Sequence, residues 1–248
     1  MNILVCISRV PDTASRIVVG SDGKSIDSSG LKFVVNPYDE LAIEEALQLS
    51  KKNGGEVTAI TVGTAANTDV LRTALAMGVD KVVLIKGDEP GDSSYVAENI
   101  AKYAKTYNPD LIFLGRQSVD FDSLQMPSIL AEKLNIPSVS VVSKLTVESG
   151  KVIAERDIEG GRETVEAVLP CIISCQKGLN EPRYPKLPDI MKAKRKPIEE
   201  IEAENIVPKV TILSMEIPSK KRVGTILTDS DDDIKELVKL LHEEAKII

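Results

Sequence analysis

The chain has 248 residues, room for one sizeable α/β domain with an extension or for two small domains. Hydrophobic residues make up 42% and aromatics only 3%, with no Trp, so the core is aliphatic. A net charge of −7 with so few rings argues against nucleic-acid binding, and no apolar run approaches the roughly 20 residues that cross a bilayer.

The first half alternates strand and helix signals. Met1–Ile7 has no basic region before its apolar run, so it is expected to be a first strand rather than a signal peptide, which points to a cytoplasmic protein. Ile3–Ser8, Val57–Val62, Lys81–Lys86 and Leu111–Leu114 are short β-branched or Leu-rich runs suited to buried parallel strands. Asn36-Pro37-Tyr38-Asp39-Glu40 starts a helix, with Asn as cap, Pro at the first helical position and acids in the first turn. Asp69–Met77 is a second helix closed by Gly78, and Ser93–Tyr107 a third that stops before Asn108-Pro109. The alternation predicts an α/β fold: an open, mostly parallel Rossmann-like sheet with helices on both faces.

After Ser138 the pattern changes. Val139–Val142, Leu145–Val147, Val152–Arg156, Thr164–Val168 and Cys171–Cys175 read as strands, with turns at Ser149-Gly150 and Gly160-Gly161. They are expected as hairpins added to one sheet edge. From Pro182 the chain is expected to become an extended arm, with a short strand near Val210–Leu213 and a terminal helix from about Asp231 to Ala245. The division is therefore a nucleotide-binding α/β domain over residues 1–181 and a partner-recognition loop and arm over 182–248.

Most catalytic chemistry is excluded. The one histidine, His242, lies on a charged helix. There is no G-x-S-x-G elbow and no P-loop, and Ser8-Arg9-Val10-Pro11 stands where a dinucleotide fingerprint would follow the first strand. Cys6, Cys171 and Cys175 form no CxxC pair and read as small hydrophobes, so neither a disulfide framework nor a metal site is expected. The acids Asp229–Asp233 lack the glycine and glutamate of a calcium loop and read as a helix N-terminus.

Three segments stand out. The loop Gly115–Gln125 follows a strand and leads into a helix, the place where open α/β sheets bind ligands; Gly115 would allow close approach, and Ser118, Ser123 and Gln125 could bond a phosphate or ribose. An ordinary polar loop is the competing reading. Arg156–Glu163 is a charged turn, open to the same alternative. In Leu179–Lys196, Pro182, Pro185 and Pro188 forbid a helix running through them, yet Leu187, Ile190 and Met191 are apolar and sit beside the basic Lys192, Lys194, Arg195 and Lys196. Such side chains need a cover, and another protein is the expected one.

At these residues the chain resembles the β subunit of electron transfer flavoproteins. Asn36–Glu40, Arg72–Gly78, Arg156–Pro170 and Leu179–Lys194 match that family's pattern in order. The resemblance implies a heterodimer with an α subunit, with FAD shared between the two and held mainly by α. It implies a carrier rather than an enzyme, of bacterial or archaeal type, moving electrons from acyl-CoA dehydrogenases of fatty acid oxidation to a quinone oxidoreductase. Thr13 and Tyr38 would lie near the flavin ring. Arg156 and Asp157 would pair with α. Leu187, with Pro188, Ile190 and Met191, would anchor the dehydrogenase. A nucleotide, AMP in preference to a second FAD, would draw on Cys6, Asn36, Val62, Gly115, Asp120, Asp122, Ser123, Leu124, Gln125 and Met126. Electron-bifurcating relatives, which use NADH, place a second FAD at this loop; Asp120, Asp122, Ser123 and Gln125 fit their pattern in part, with Phe121 in place of Gly. A nucleotide-sensing binding module is the remaining alternative.

Overall fold

The structure, a computed structural model, describes residues 1–87, 92–218 and 224–247. Strand β1 (Asn2–Cys6) has four consecutive buried residues. Alternate strand side chains point to opposite faces. Ile3 and Val5 therefore enter one core, while Leu4 and Cys6 enter the other. A short antiparallel ribbon, β2 (Arg9–Pro11) with β3 (Phe33–Val35), precedes α1 (Pro37–Asn53). The βα units continue with β4 (Glu56–Gly63), α2 (Thr68–Met77), β5 (Lys81–Lys86), α3 (Ser93–Tyr107), β6 (Leu111–Gly115) and α4 (Met126–Leu134). Helices α1 and α2 pack on the first face, and α3 and α4 on the second.

An antiparallel meander follows: β7 (Ser138–Glu148), β8 (Lys151–Ile158) and β9 (Gly161–Val168). Next come β10 (Cys171–Cys175), α5 (Leu187–Ala193), β11 (Glu199–Glu202) and α6 (Asp231–Lys239), the last running into a π-helical turn at Leu240–Glu244. The sheet has nine strands in the order β11-β5-β4-β1-β6-β10-β7-β8-β9. Every pair from β11 to β7 is parallel. The order reverses between β1 and β6, since β4 and β5 extend the sheet one way and β6 and β10 the other.

The open α/β sheet is as expected, with differences of detail. Cys171–Cys175 is no edge strand: it lies between β6 and β7, parallel to both and wholly buried. Its five apolar or small residues are covered on both faces of the sheet. Val139–Val142 and Leu145–Val147 are one strand, with a register shift between Val142 and Lys144. Leu187–Ala193 is helical, because Pro188 occupies the first turn, where its missing N–H has no partner to lose. Val210–Leu213 is not a strand; the amides of Lys209 and Val210 both donate to Asp92 Oδ2, at 2.7 and 2.8 Å. The strand in that part of the chain is Glu199–Glu202, parallel to β5. Beyond it Val207, Val210, Leu213, Ile217 and Ile226 are exposed, as are Ile234, Leu237 and Val238 on α6.

Candidate functional site

The reversal of strand order opens a crevice at the carboxyl ends of β1 and β6, the usual ligand position in such sheets. Asp39, in the first turn of α1, ties the two strand ends together. Its Oδ1 accepts from the Gly115 amide at 2.8 Å and its Oδ2 from the Ser8 amide at 2.7 Å. Burial drives the Asp39 pKa up to about 7, against the pull of hydrogen bonds from Ser8, Asn36 and Gly115. A Cβ on Gly115 would lie 2.5 Å from Asp39 Oδ1 and 2.6 Å from Tyr38 Cβ. At Gly115 the first turn of α1 therefore approaches the strand end closely.

Asn36 is fully buried and does not cap α1 with its side chain. Its Nδ2 donates to the Gln117 carbonyl at 2.9 Å, and its Oδ1 accepts from the Val119 amide at 3.2 Å. One side chain therefore holds the start of the β6–α4 loop. The loop turns on a hydrogen bond from the Asp122 amide to the Ser118 carbonyl, 2.9 Å, with Asp122 and Leu124 in the left-handed region at φ 54° and 52°. Gln125 Nε2 donates to Ser93 Oγ at 3.0 Å, joining the loop to the start of α3. Below, Cys6, Val62 and Met126 belong to the apolar core of the second face. The result is an aliphatic floor under a polar rim, with Asp120, Phe121, Asp122, Ser123 and Leu124 all exposed. Pro127 removes one amide donor from the first turn of α4.

Three residues of this crevice carry roles the sequence did not suggest: Asp39, Arg116 and Gln176. The Arg116 guanidinium lies 5.6 Å from the centre of the Tyr38 ring; Nε donates to Gln117 Oε1 at 2.6 Å and Nη1 to Gln176 Oε1 at 3.3 Å. Thr13 is exposed in the turn after β2, and Tyr38 is half-buried on α1.

The hairpin residues Arg156 and Asp157 are paired within their own ribbon. Arg156 Nε donates to Glu163 Oε2 at 2.5 Å, and Arg162 Nε to Asp157 Oδ1 at 3.0 Å. All three cysteines are free and buried, and burial raises each thiol's pKa, that of Cys171 to about 12, which leaves them unreactive. Among the described residues no His, Cys, Asp and Glu cluster could hold a metal ion, and no helix is long and apolar enough to cross a membrane.

The second feature is the anchor segment. Leu187 is 79% exposed and Tyr184 95%, with Ile190 and Met191 beside them. The segment before α5 is fastened to α1: Asn180 Nδ2 donates to the Leu41 carbonyl at 3.1 Å and to Glu45 Oε2 at 2.9 Å, and Arg183 forks onto Glu44. Leu187, Ile190 and Met191 are thus exposed apolar side chains on a fastened segment.

Comparison with known proteins decides the family. The electron transfer flavoprotein domain matches residues 24–206. The electron transfer flavoprotein subunit beta of Bacillus subtilis is 43% identical over 260 aligned residues, with all of both chains covered. The chain belongs to the electron transfer flavoprotein β-subunit family. The mitochondrial subunit beta of Oryza sativa subsp. japonica is 37% identical, again over the full length of both chains, and that of Mus musculus 36%, covering 100% of this chain and 99% of its own. Members of this family are electron transfer flavoproteins, and in a flavoprotein the reactive group is the cofactor.

Proposed function

We propose that this chain is the small subunit of a heterodimeric electron transfer flavoprotein that carries electrons from acyl-CoA dehydrogenase-type flavoenzymes to a quinone oxidoreductase. The observation that carries the reading is full-length family membership together with the exposed knob at Leu187 on its fastened segment. A shared FAD would supply reversible acceptance and release of electrons. The protein's part is to place it, and Thr13 and Tyr38 are the residues that would form this chain's wall of the flavin site. Arg156 and Asp157 would reach the α subunit by sharing or exchanging Glu163 and Arg162. The arm from residue 182 onward would wrap α, covering Val207, Leu213, Ile226 and the apolar side of α6.

The crevice between β1 and β6 would hold a nucleotide, AMP rather than a second FAD. Cys6 and Val62 suit the floor under a base, and Ser123, Asp122 and the free amides at the start of α4 suit the sugar and phosphate. Asn36 and Gly115 support the loop from behind, since the polar atoms of Asn36 are engaged with it and Gly115 is packed against α1. Nucleotide analysis after denaturing the co-expressed pair tests this: one FAD and one AMP per heterodimer supports it, whereas two FAD would point to a bifurcating protein.

A further inference from the structure

The anchor segment is fastened at both ends. On its C-terminal side Arg72, on α2, donates through Nη1 to the Ala193 carbonyl at 2.6 Å and to the Lys196 carbonyl. Ala193 ends α5, where its carbonyl also accepts from the Lys196 amide at 3.3 Å, and the carbonyl end of a helix favours a cation. Lys196 Nζ then donates to the Val79 carbonyl at 3.1 Å, in the turn after α2. Ala193 is buried against the α1–α2 core. Between this tie and the Arg183–Glu44 fork lie Tyr184, Leu187, Ile190 and Met191, all exposed. A seven-residue helix is too short to hold itself in water, so its position is set by these ties.

We propose that Arg72 is a positioning residue for partner docking: it fixes the C-terminal end of α5 so that the Leu187 knob is presented preformed to the donor flavoenzyme. The inference rests on the reading of that knob as the donor anchor. Arg72 touches neither the knob nor the crevice; it acts through the two carbonyls it holds. Without it, α5 frays from its C-terminus, and the donor must order the segment on each encounter.

The test uses the flavin-loaded α–β heterodimer as electron acceptor for an acyl-CoA dehydrogenase-type donor. Arg72→Met keeps the aliphatic stem and removes the donors. It is expected to raise the KM for the heterodimer about tenfold, the scale of a lost preorganised segment, with kcat and flavin content unchanged. Hydrogen exchange over residues 187–196 is expected to quicken. Arg72→Lys, which can still donate to the same carbonyls, is expected to recover most of the loss. Unchanged KM in Arg72→Met beside a raised KM in Leu187→Ala overturns the positioning role and leaves the anchor reading standing. Unchanged KM in both variants overturns the anchor reading itself. A fall in kcat with loss of flavin overturns the positioning role in favour of general structural damage. Should Arg72→Met fail to assemble, Lys196→Met carries the same expectation, and an unchanged KM there overturns the proposal.

Discussion

Arg183 grips Glu44 across 139 positions of sequence: Nε donates to Oε2 at 2.7 Å and Nη2 to Oε1 at 2.9 Å, while the Arg183 amide adds a third bond to Oε2 at 3.2 Å. The carboxylate is almost buried on α1, and the guanidinium is half in solvent. Burial pushes Glu44 upward, but hydrogen bonds from Arg183 and Gln48 outweigh it and hold its carboxyl below the ordinary 4.5. Stability from this pair is therefore present above the ordinary value and lost as pH falls through the lowered one. Glu44→Gln is expected to cost about 1–2 kcal/mol near neutral pH, at the lower end because the guanidinium is half solvated, and less in acid. Thermal midpoints of the heterodimer at pH 7 and pH 4 check this; an equal cost at both would contradict it.

Asp39 has the opposite sign. Its carboxyl is raised from 3.8 to about 7 by burial, so the folded chain holds a proton that the unfolded chain releases. Its contribution is fully present below about pH 4 and is lost as pH rises toward 7. Asp39→Asn removes that slope and also turns an N–H toward the amide of Ser8 or Gly115, leaving a buried donor unpaired. The variant is expected to be less stable by about 1–3 kcal/mol near pH 7, and the deficit should widen toward pH 5. A deficit that narrows toward pH 5 would contradict the raised value.

Gly115→Ala places a methyl group 2.5 Å from Asp39 Oδ1 and 2.8 Å from the Tyr38 carbonyl carbon. The first turn of α1 must move, so a loss of about 1–3 kcal/mol is expected, with weaker nucleotide retention because the Asn36 tether to the loop shifts too. Denaturation midpoints and nucleotide content measured on the same preparation check both parts; wild-type values for each would contradict the packing argument.

Much of this was legible in the chain. Continuous apolar runs such as Ile3–Cys6 and Leu111–Leu114 have no stable place except a doubly covered strand, and Pro37 and Gly78 mark helix ends by backbone chemistry alone. What escaped depends on distant partners. Cys171–Cys175 looks the same at an edge or at the centre, because strand order is not a local property. Glu199–Glu202 has one apolar residue in four, yet pairs with β5 through its backbone. In the crevice, loop and helix start could be recognised, but not that Asn36 would leave its cap for Gln117 and Val119, or that Asp39 would bridge two strand ends.

Leu187→Ala is expected to impair transfer from the donor flavoenzyme while leaving flavin and nucleotide content unaltered. Burying a leucine side chain contributes about 1.5–3 kcal/mol, so KM should rise roughly tenfold to a hundredfold. Stopped-flow reduction of the heterodimer at several donor concentrations gives the number, and wild-type kinetics would rule out the anchor role.

The central claim is that this chain builds only part of a flavin chamber. Gel filtration of the lone chain and of the chain co-expressed with its α subunit, with flavin absorbance followed across each peak, tests it directly. The expected result is a colourless lone chain and a yellow one-to-one heterodimer. Stoichiometric flavin travelling with the lone chain would contradict it.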